Sequence, residues 1–407
     1  MPNKTAKHWI VLVMCCMLAC ASIGISLNTS GVFYTPVSED LGILRGDFAL
    51  HATIFSVVTA FTMLIVPTIL RIWGFKFILV IATALGAGST ALMGLCSSTW
   101  MFYILSAIRG FSTGMFSSVT LTIILNNWFE EKIGIATSIV FSMSGVGGAL
   151  VSPLLTAIIN ATNWRVAFFV QGALIAALCI PVILYPFHIK PQKDGLLPYG
   201  YVQKEGEVTV NSSNYDFNFA NPVFIIFFTF ALIYCMITSF AQHLPGYATS
   251  IGFSAALGSL MVTSVMLGNI GSKLVIGAIT EKIGSLWSTL LMIVINGLAT
   301  LVILVATSET IMIGASFMFG TCFSVGAVGL SLLTKRFFGQ KNFNNIYSKI
   351  SFAANIGTAL ALTIIGYIYD FFGSYFYAFV MVFAIVILSV VMVLYCEKAT
   401  KATRENA

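Results

Sequence analysis

Charged side chains are scarce in this 407-residue chain, and acidic ones are missing from its apolar segments. Charged residues make up 8% of the chain, against about 25% in a typical soluble domain, and hydrophobic residues make up 58%. The apolar residues form long runs and do not alternate with polar ones, which favours membrane-spanning helices over strands. We therefore predict an all-α integral membrane protein.

Motifs that would indicate catalysis or cofactor binding are also missing. The sequence contains no GxxxxGK[ST] phosphate-binding loop, no nucleophile elbow and no zinc-ligand spacing, and its eight cysteines form no CxxC pair. We expect those cysteines to pack as small apolar residues. The sequence thus predicts no enzyme, no cofactor and no metal site.

Breaks at Gly, Pro and charged residues divide the apolar sequence into twelve predicted membrane spans. Most of them are longer than the roughly 20 residues that cross a bilayer, so tilted helices or broken ends are expected. In chain order, spans 1 to 12 are predicted at residues 9–36, 48–72, 76–97, 100–125, 133–159, 165–187, 220–244, 255–280, 286–306, 310–334, 343–369 and 373–396.

The positive charges indicate how these spans are oriented. With both termini in the cytoplasm, sixteen of the twenty Lys and Arg residues lie on the cytoplasmic side, while Arg45 and Arg165 lie outside. The remaining two, Arg109 and Lys273, lie within spans. Because this bias follows the positive-inside rule, we predict a multi-pass protein of the plasma membrane with cytoplasmic termini. The net charge of +6 follows from that topology, so it indicates no nucleic-acid partner.

A long polar stretch and an internal repeat indicate two halves. Residues 188–219 are strongly polar, so we predict an N-terminal bundle at 1–187, a cytoplasmic central loop at 188–219 and a C-terminal bundle with a short tail at 220–407. The halves align at an offset of 210 residues, which places Gly74 on Gly284. We therefore expect two pseudo-symmetric bundles of six transmembrane helices each.

Four short motifs carry a resemblance to a known family. They are Gly31–Gly42 (GVFYTPVSEDLG), Arg109–Gly114 (RGFSTG), Asp194–Gly200 (DGLLPYG) and Gln242–Tyr247 (QHLPGY). Together with the repeat, they make the chain resemble the major facilitator superfamily, and within it the branch of monocarboxylate transporters and oxalate:formate antiporters. The resemblance implies a secondary transporter that works by alternating access and carries a small organic anion.

Lys273 is the strongest candidate for binding that anion. A cation at membrane depth, in spans that lack acidic residues, needs an anion from elsewhere unless its side chain reaches to the membrane surface. Asn269, Lys273 and Gly277 follow one another at intervals of four residues and so share one helix face. In the resembled family, the position of Lys273 is usually an arginine that binds the substrate carboxylate.

Asn269 and His243 bear on proton coupling. Proton-coupled members of the resembled branch carry an aspartate at the position of Asn269, and asparagine cannot take up a proton in its place. We therefore favour exchange or uniport over carboxylate-coupled proton symport, although a permeating acid or a histidine would also carry a proton. His243, near the end of span 7, is our candidate for a gating or proton-linked role. The alternative is a hydrogen-bonded histidine beside a helix-ending Pro245.

Three polar residues of the N-terminal half are further candidates for substrate binding. Arg109 matches the span 4 arginine of the superfamily, which implies either a structural hydrogen-bond network or contact with substrate. Asn28 and Ser118 stand where relatives carry cavity-lining aromatic residues. They favour a substrate that has a hydroxyl group, although packing between helices uses the same residue types.

Charged turns after spans 2 and 8 resemble the cytoplasmic gate motif of the superfamily. Opposite charges in such turns would hold one transport state closed, and the alternative is that they are ordinary loop charges that follow the topology. The gating candidates are Arg71, Gly74 and Lys76 in the first half and Gly277, Glu281, Lys282 and Gly284 in the second.

The sequence thus predicts a transporter of a small organic anion, with a monocarboxylate favoured, that functions as a monomer in the lipid bilayer. Two alternatives stay open. An exporter of drugs or cations with the same fold would need an intramembrane carboxylate, which the predicted spans lack. A membrane sensor without transport activity would typically need a longer cytoplasmic tail than residues 397–407.

Overall fold

The structure is a computed structural model that describes residues 4–43, 45–201 and 221–405. The chain divides into two compact units, residues 1–201 and 202–407. Part of the predicted central loop, residues 202–219, lies outside the described residues, and its remainder belongs to the first unit. The boundaries of a separate loop therefore stay a prediction.

Six helical spans build the first unit, and two of them are interrupted. Span 1 passes from an α-helix through a π-helical turn to a 3-10 turn, and span 4 is broken at Ser117, whose φ and ψ of −95° and −143° are not helical. The helices are Lys4–Ala19 with Cys20–Ile25 and Ser30–Phe33 for span 1, Arg45–Trp73 for span 2, Phe75–Leu92 for span 3, Thr99–Phe116 with Ser118–Trp128 for span 4, Ile133–Ala161 for span 5 and Trp164–Leu184 for span 6.

Six further spans build the second unit. Spans 8 and 9 form one helical run with a kink at Gly284. The helices are Pro222–Phe240 with Ala241–His243 for span 7, Ala255–Val305 for spans 8 and 9, Glu309–Phe319 with Thr321–Ser324, Val325–Gly329 and Leu330–Phe338 for span 10, Phe343–Phe372 for span 11 and Phe376–Glu405 for span 12. The predicted all-α fold of twelve spans in two bundles of six is thus confirmed.

The internal repeat is visible in the backbone. Gly74 after span 2 has φ and ψ of 78° and 153°, and Gly284 after span 8 has 80° and 165°. Only glycine adopts this region readily, so each turn is closed in the same way by the same residue. A short helix also follows the first span of each unit at the same offset, Tyr34–Leu41 in one and Leu244–Ser250 in the other.

Close helix crossings repeat at the same offset. A Cβ atom built on Gly110 of span 4 would lie 2.5 Å from the carbonyl oxygen of Phe55 in span 2. A Cβ atom on Gly320 of span 10 would lie 2.5 Å from the carbonyl oxygen of Val265 in span 8. Both pairs differ by 210 in number. Small residues therefore let the backbones of equivalent spans touch in both units.

Aromatic packing and an ion pair close one end of the first unit. Phe33 stacks on Phe168 with ring centroids 3.9 Å apart, inside a buried cluster that includes Trp164. Beside it, Arg165 Nη1 lies 2.6 Å from Asp40 Oδ2. Hydrogen bonds from Arg165 and Trp164 hold the pKa of the Asp40 carboxyl below its ordinary value.

One acidic side chain contradicts the predicted end of span 12. That span was predicted to stop at residue 396, but its helix continues to Glu405 and includes Glu397, which is buried. Arg336 of span 10 donates two hydrogen bonds to the Glu397 carboxylate, of 2.6 and 2.7 Å. The bidentate pair stabilises the buried charge, which explains why the helix includes a residue that hydropathy alone excludes.

Replacing Gly284 by Ala should destabilise the protein. A Cβ atom is strained at a φ of 80°, and the cost of such a conformation is about 1–3 kcal/mol. We therefore expect a lower midpoint of thermal unfolding for the purified Gly284→Ala variant. Gly314→Ala is the matched control, because Gly314 is an exposed residue within the span 10 helix with open space around it. That change should leave the midpoint unaltered or raise it. Equal midpoints for both variants would contradict the prediction.

Candidate functional site

Lys273 lies inside the second unit. Its side chain is 4% exposed, and Asn269, one turn earlier on the same face, is 3% exposed. Leu274 and Val275 are 44% and 47% exposed, so the opposite face of span 8 is the outer one. The Lys273 side chain therefore does not reach along the outer surface of the unit, as the alternative prediction required.

The crossing of spans 8 and 10 fixes the position of this face. Gly320 packs against the backbone of Asn269 and Val265 so closely that a Cβ atom on it would lie 2.5 Å from the Asn269 nitrogen. The hydroxyl of Ser272 donates to the Gly320 carbonyl at 3.3 Å. Since the backbones are in contact, the register of Asn269 and Lys273 against span 10 has little freedom.

Two further buried residues had no functional role in the sequence analysis. Cys322 of span 10 interacts electrostatically with Lys273 and with Tyr234 of span 7. Both Cys322 and Tyr234 are fully buried. In the sequence, the only signals for these residues were that Cys322 follows Gly320 and that Tyr234 lies in the middle of an apolar span. Hydropathy does not say which face of a buried helix carries the site.

The other predicted residues of span 8 and its turn lie further along the helix. Gly277 is buried on the Lys273 face. Glu281 and Lys282 are exposed, and the structure shows no ion pair for either within residues 4–43, 45–201 and 221–405. Gly284 forms the kink described above.

Arg109 is held within the first unit. It is 3% exposed, and its Nη2 donates to the carbonyl of Ser26, which directly follows the π-helical turn of span 1. Its guanidinium carbon lies 5.2 Å from the centre of the Phe55 ring, and Nη1 lies 3.9 Å from Met93 Sδ. The arrangement favours the structural network over substrate contact for this arginine.

Asn28 and Ser118 also contact their own unit. The Asn28 carboxamide donates to the Ser144 carbonyl of span 5 at 3.0 Å, and its Cβ packs against Gly148. The Ser118 hydroxyl lies 3.8 Å from Met63 Sδ of span 2. These contacts match the packing alternative, and a role for either residue in substrate binding stays a prediction.

Lys76 occupies the end of a neighbouring helix. Its ammonium donates to the carbonyls of Val182, of Ile183 at 3.3 Å and of Tyr185 at 2.5 Å, and it lies 4.5 Å from the centre of the Phe187 ring. The last carbonyls of a helix carry partial negative charge and lack intrahelical donors. The gate-motif lysine therefore caps span 6.

The rest of the first turn and His243 lie near the ends of their spans. Arg71 is exposed, and among the described ranges of the chain it forms no ion pair, while Gly74 closes the turn. His243 lies on the short 3-10 turn at the end of span 7 and is half-buried, with its ring 6.1 Å from that of Tyr375.

Residues 187–201 form a strap on the first unit. The Tyr199 backbone donates to the Trp128 carbonyl at 2.8 Å and accepts from the amides of Glu130 and Glu131 at 3.0 and 3.1 Å. The Trp128 indole in turn donates to the His188 carbonyl at 2.9 Å. The strap therefore ties the turn after span 4 to the segment that follows span 6.

Asp194 is the polar centre of this strap. Its carboxylate lies 3.2 Å from the Lys7 ammonium, and it accepts hydrogen bonds from the ring and the backbone amide of His188 at 3.0 and 2.9 Å. Burial raises the pKa of the Asp194 carboxyl, but the hydrogen bonds from His188 and Lys7 outweigh this effect and hold the pKa below its ordinary value.

Asp194→Asn should weaken the strap at neutral pH. A carboxyl with a depressed pKa stabilises the folded state above its unfolded pKa of about 3.9, and that contribution is lost as the pH falls through the folded value. We expect the variant to lose about 1–3 kcal/mol of stability at neutral pH, measured by chemical unfolding. The difference from wild type should shrink below about pH 4. The exposed Glu309→Gln is the control, and an equal loss there would contradict the assignment.

Gly320→Ala should separate spans 8 and 10. The added Cβ would meet backbone atoms, which cannot rotate away, and overpacking of this kind typically costs about 1–3 kcal/mol. We expect a lower thermal midpoint together with weaker substrate affinity. Gly271→Ala is the control in span 8, since its Cβ would meet only the end of the Phe317 ring at 3.6 Å. Unchanged behaviour of Gly320→Ala would show that the crossing is not rigid.

Comparisons with known proteins agree with this architecture. The chain is 21% identical over 404 residues to monocarboxylate transporter 12 of Xenopus laevis, a match that covers 93% of this chain and 86% of that protein. It is 23% identical to the oxalate:formate antiporter of Oxalobacter formigenes over 281 residues, 68% of this chain and 64% of the relative.

A solved structure and a family model extend the comparison. The crystal structure of the Escherichia coli fucose:proton symporter matches with a TM-score of 0.73 and 10% identity, over 96% of this chain and 99% of that one, which shows a shared fold. The model of the Major Facilitator Superfamily matches residues 14–260 and 226–407. The chain therefore belongs to the Major Facilitator Superfamily, and it is a multi-pass membrane transporter, not an enzyme.

Proposed function

We propose that the protein transports a small organic anion, in particular a monocarboxylate, by alternating access. Lys273 binds the carboxylate through its ammonium, and the carboxamide of Asn269 contacts the same group. The protein acts as a monomer in the plasma membrane, with both termini in the cytoplasm. Exchange or uniport is the mode of transport.

The observation that carries this proposal is an amine buried inside a membrane-spanning helix. Lys273 precedes the kink at Gly284 by eleven residues, which corresponds to a depth of about 16 Å at 1.5 Å per residue. Burial of an ammonium at such a depth is costly unless a negative or polar group accompanies it. In the second unit, Glu309, Asp370 and Glu405 lie in the first or last turn of their helices, and Glu281 lies beside the kink at Gly284. Glu397 is paired with Arg336. A permeating carboxylate supplies the charge that the middle of these helices lacks.

The names of two relatives support the same substrate class. One is a monocarboxylate transporter and another is an antiporter of oxalate and formate, all of them small carboxylates. At 21% and 23% identity they support a class of solute and not a particular acid. Their common chemical feature, a carboxylate, is the group that an ammonium beside a carboxamide recognises.

The mode of transport follows from Asn269. A carboxylate next to Lys273 would form an ion pair that takes up a proton when the substrate leaves. Asn269 cannot titrate, so the site itself does not couple transport to a proton. Exchange of one anion for another, or movement of a single anion down its gradient, needs no such group.

Arg109 has a positioning role within the first unit under this proposal, because its guanidinium joins span 4 to the Ser26 carbonyl of span 1. Asn28 and Ser118 act in the same way on spans 5 and 2. Gly74 and Gly284 form the turns that move with the bundles. Lys76 holds the end of span 6 in place.

Replacing Lys273 by an uncharged residue should strongly reduce exchange. In proteoliposomes preloaded with unlabelled lactate, formate or oxalate, we expect accelerated entry of the labelled acid that the protein accepts. Lys273→Gln should reduce this counterflow at least tenfold, because a hydrogen bond to a charged group contributes about 1.5–3 kcal/mol and the ionic attraction is lost as well. Initial rates at several substrate concentrations give both the half-saturation concentration and the maximal rate.

Lys398→Gln is the matched control for charge. Lys398 is an exposed lysine of the same unit, so its loss removes one positive charge without touching the buried face of span 8. Its counterflow should equal that of wild type. Full activity of Lys273→Gln would remove Lys273 from the site, and no entry of any of the three acids into vesicles that hold folded wild-type protein would overturn the proposed substrate class.

A further inference from the structure

Asn296 is a carboxamide buried in the middle of span 9. It lies twelve residues beyond the kink at Gly284, which corresponds to a depth of about 18 Å, and it is 0% exposed. Its Nδ2 donates to the carbonyl of Phe319 in span 10 at 2.9 Å, whereas its Oδ1 has no partner within the residues that the structure describes. A buried carboxamide with only one satisfied polar atom contributes little net stability. The stability of the fold alone therefore does not account for this residue.

The accepting carbonyl lies at an interruption of span 10. One helix of this span ends at Phe319, directly before Gly320, and the next begins directly after it. The backbone tightens here, because the Gly320 amide donates to the Phe317 carbonyl at 3.1 Å and the Phe323 amide to the Gly320 carbonyl at 3.2 Å, each three residues back. The last carbonyls of a helix lack intrahelical donors. Asn296 supplies a donor to one of them and thereby ties the interruption to span 9.

Span 8 contacts the same interruption. A Cβ atom on Gly268 would overlap the carbonyl oxygen of Phe317, and the hydroxyl of Ser272 donates to the carbonyl of Gly320 at 3.3 Å. Three carbonyls of residues 317–320 therefore contact span 8 or span 9. The two residues proposed to bind the carboxylate directly follow Gly268 and Ser272 in the chain. Their position thus depends on how this part of span 10 is held.

The first unit shows that the crossing itself does not need this carboxamide. At the offset of 210 residues, Asn296 corresponds to Gly86, and Gly320 corresponds to Gly110. Gly110 makes the equivalent close crossing, yet the span 4 helix, Thr99–Phe116, continues through it. The interruption and the carboxamide that caps it therefore occur together in the unit that carries the buried amine, and not at the equivalent place in the other unit.

We infer that Asn296 is a positioning residue of the substrate site. Its hydrogen bond to the Phe319 carbonyl fixes the interruption of span 10, and span 10 in turn fixes the register of Asn269 and Lys273 on span 8. This inference rests on the proposed function. Asn296 does not bind the carboxylate itself but sets the geometry in which the two residues of span 8 bind it. Binding groups that are held about 1 Å too loosely lose much of their effect.

The experiment compares three variants of span 9 in the whole chain. Asn296→Leu removes the donor and keeps most of the volume, whereas Asn296→Ala removes the donor and reduces the volume. Thr300→Val is the matched control, because Thr300 is 1% exposed and its hydroxyl donates within its own helix, to the Asn296 backbone carbonyl at 2.8 Å. For each purified protein, the thermal midpoint is measured with and without the acid that wild type exchanges. Counterflow gives the half-saturation concentration and the maximal rate for that acid.

Both Asn296 variants should raise the half-saturation concentration about three- to tenfold, which corresponds to the loss of one hydrogen bond. Their maximal rates should stay within about twofold of wild type, because the groups that bind the carboxylate are still present. Stabilisation of these variants by added acid should shrink accordingly. Asn296→Leu should keep the substrate-free midpoint close to that of wild type, since leucine also removes the unpartnered Oδ1. Thr300→Val should leave the half-saturation concentration and the maximal rate unchanged.

The outcomes separate this inference from the proposed function. If wild type exchanges an acid and Lys273→Gln loses that exchange, but both Asn296 variants retain the wild-type half-saturation concentration, the positioning role is overturned and the transport proposal stands. A rise in one folded Asn296 variant and not in the other would be an effect of packing, and an equal rise in Thr300→Val would be a general effect of losing a buried polar group. Either result would also overturn the role. Absence of exchange in wild type would instead defeat the proposed function, and this inference with it.

Discussion

The cost of placing a charge inside a membrane governs the polar architecture of this protein. Each charged side chain that the helices bury is accompanied by groups that offset the loss of water. Arg336 and Glu397 neutralise each other through two short hydrogen bonds. Arg109 donates to a backbone carbonyl and lies over an aromatic ring. Lys273 shares its buried helix face with Asn269 and interacts electrostatically with the Cys322 thiol.

Helix geometry makes this arrangement possible. The π-helical turn of span 1 ends directly before Ser26, whose carbonyl accepts a hydrogen bond from Arg109. In the second unit, Gly320 lets span 10 approach span 8 until the backbones touch, which holds Asn269 and Lys273 in a fixed register beside Cys322. The π-helical turn of span 1 and the small residue Gly320 thus lie next to buried polar side chains of their units.

How far the sequence predicts the structure depends on the kind of signal. The twelve spans follow from hydropathy, and the turn glycines Gly74 and Gly284 follow from the offset of 210 residues between the two halves. Both signals can be read directly along the sequence. Glu397 was misplaced because its burial depends on Arg336, sixty-one residues away in sequence. The buried face of span 7 was not predicted for a related reason: most of its residues are apolar, so periodicity does not indicate which face packs inward. Long-range pairing and the choice of face are fixed only in the folded chain.

Selectivity under the proposed function comes from charge and not from shape alone. A neutral or cationic solute would bring no opposite charge to the Lys273 ammonium in a dry environment, and the penalty for such a mismatch exceeds what a few apolar contacts return. A carboxylate brings that charge, whatever the remainder of the molecule. Under this proposal the site discriminates strongly between chemical classes and weakly between acids of similar size, which agrees with relatives named as a monocarboxylate transporter and an oxalate:formate antiporter.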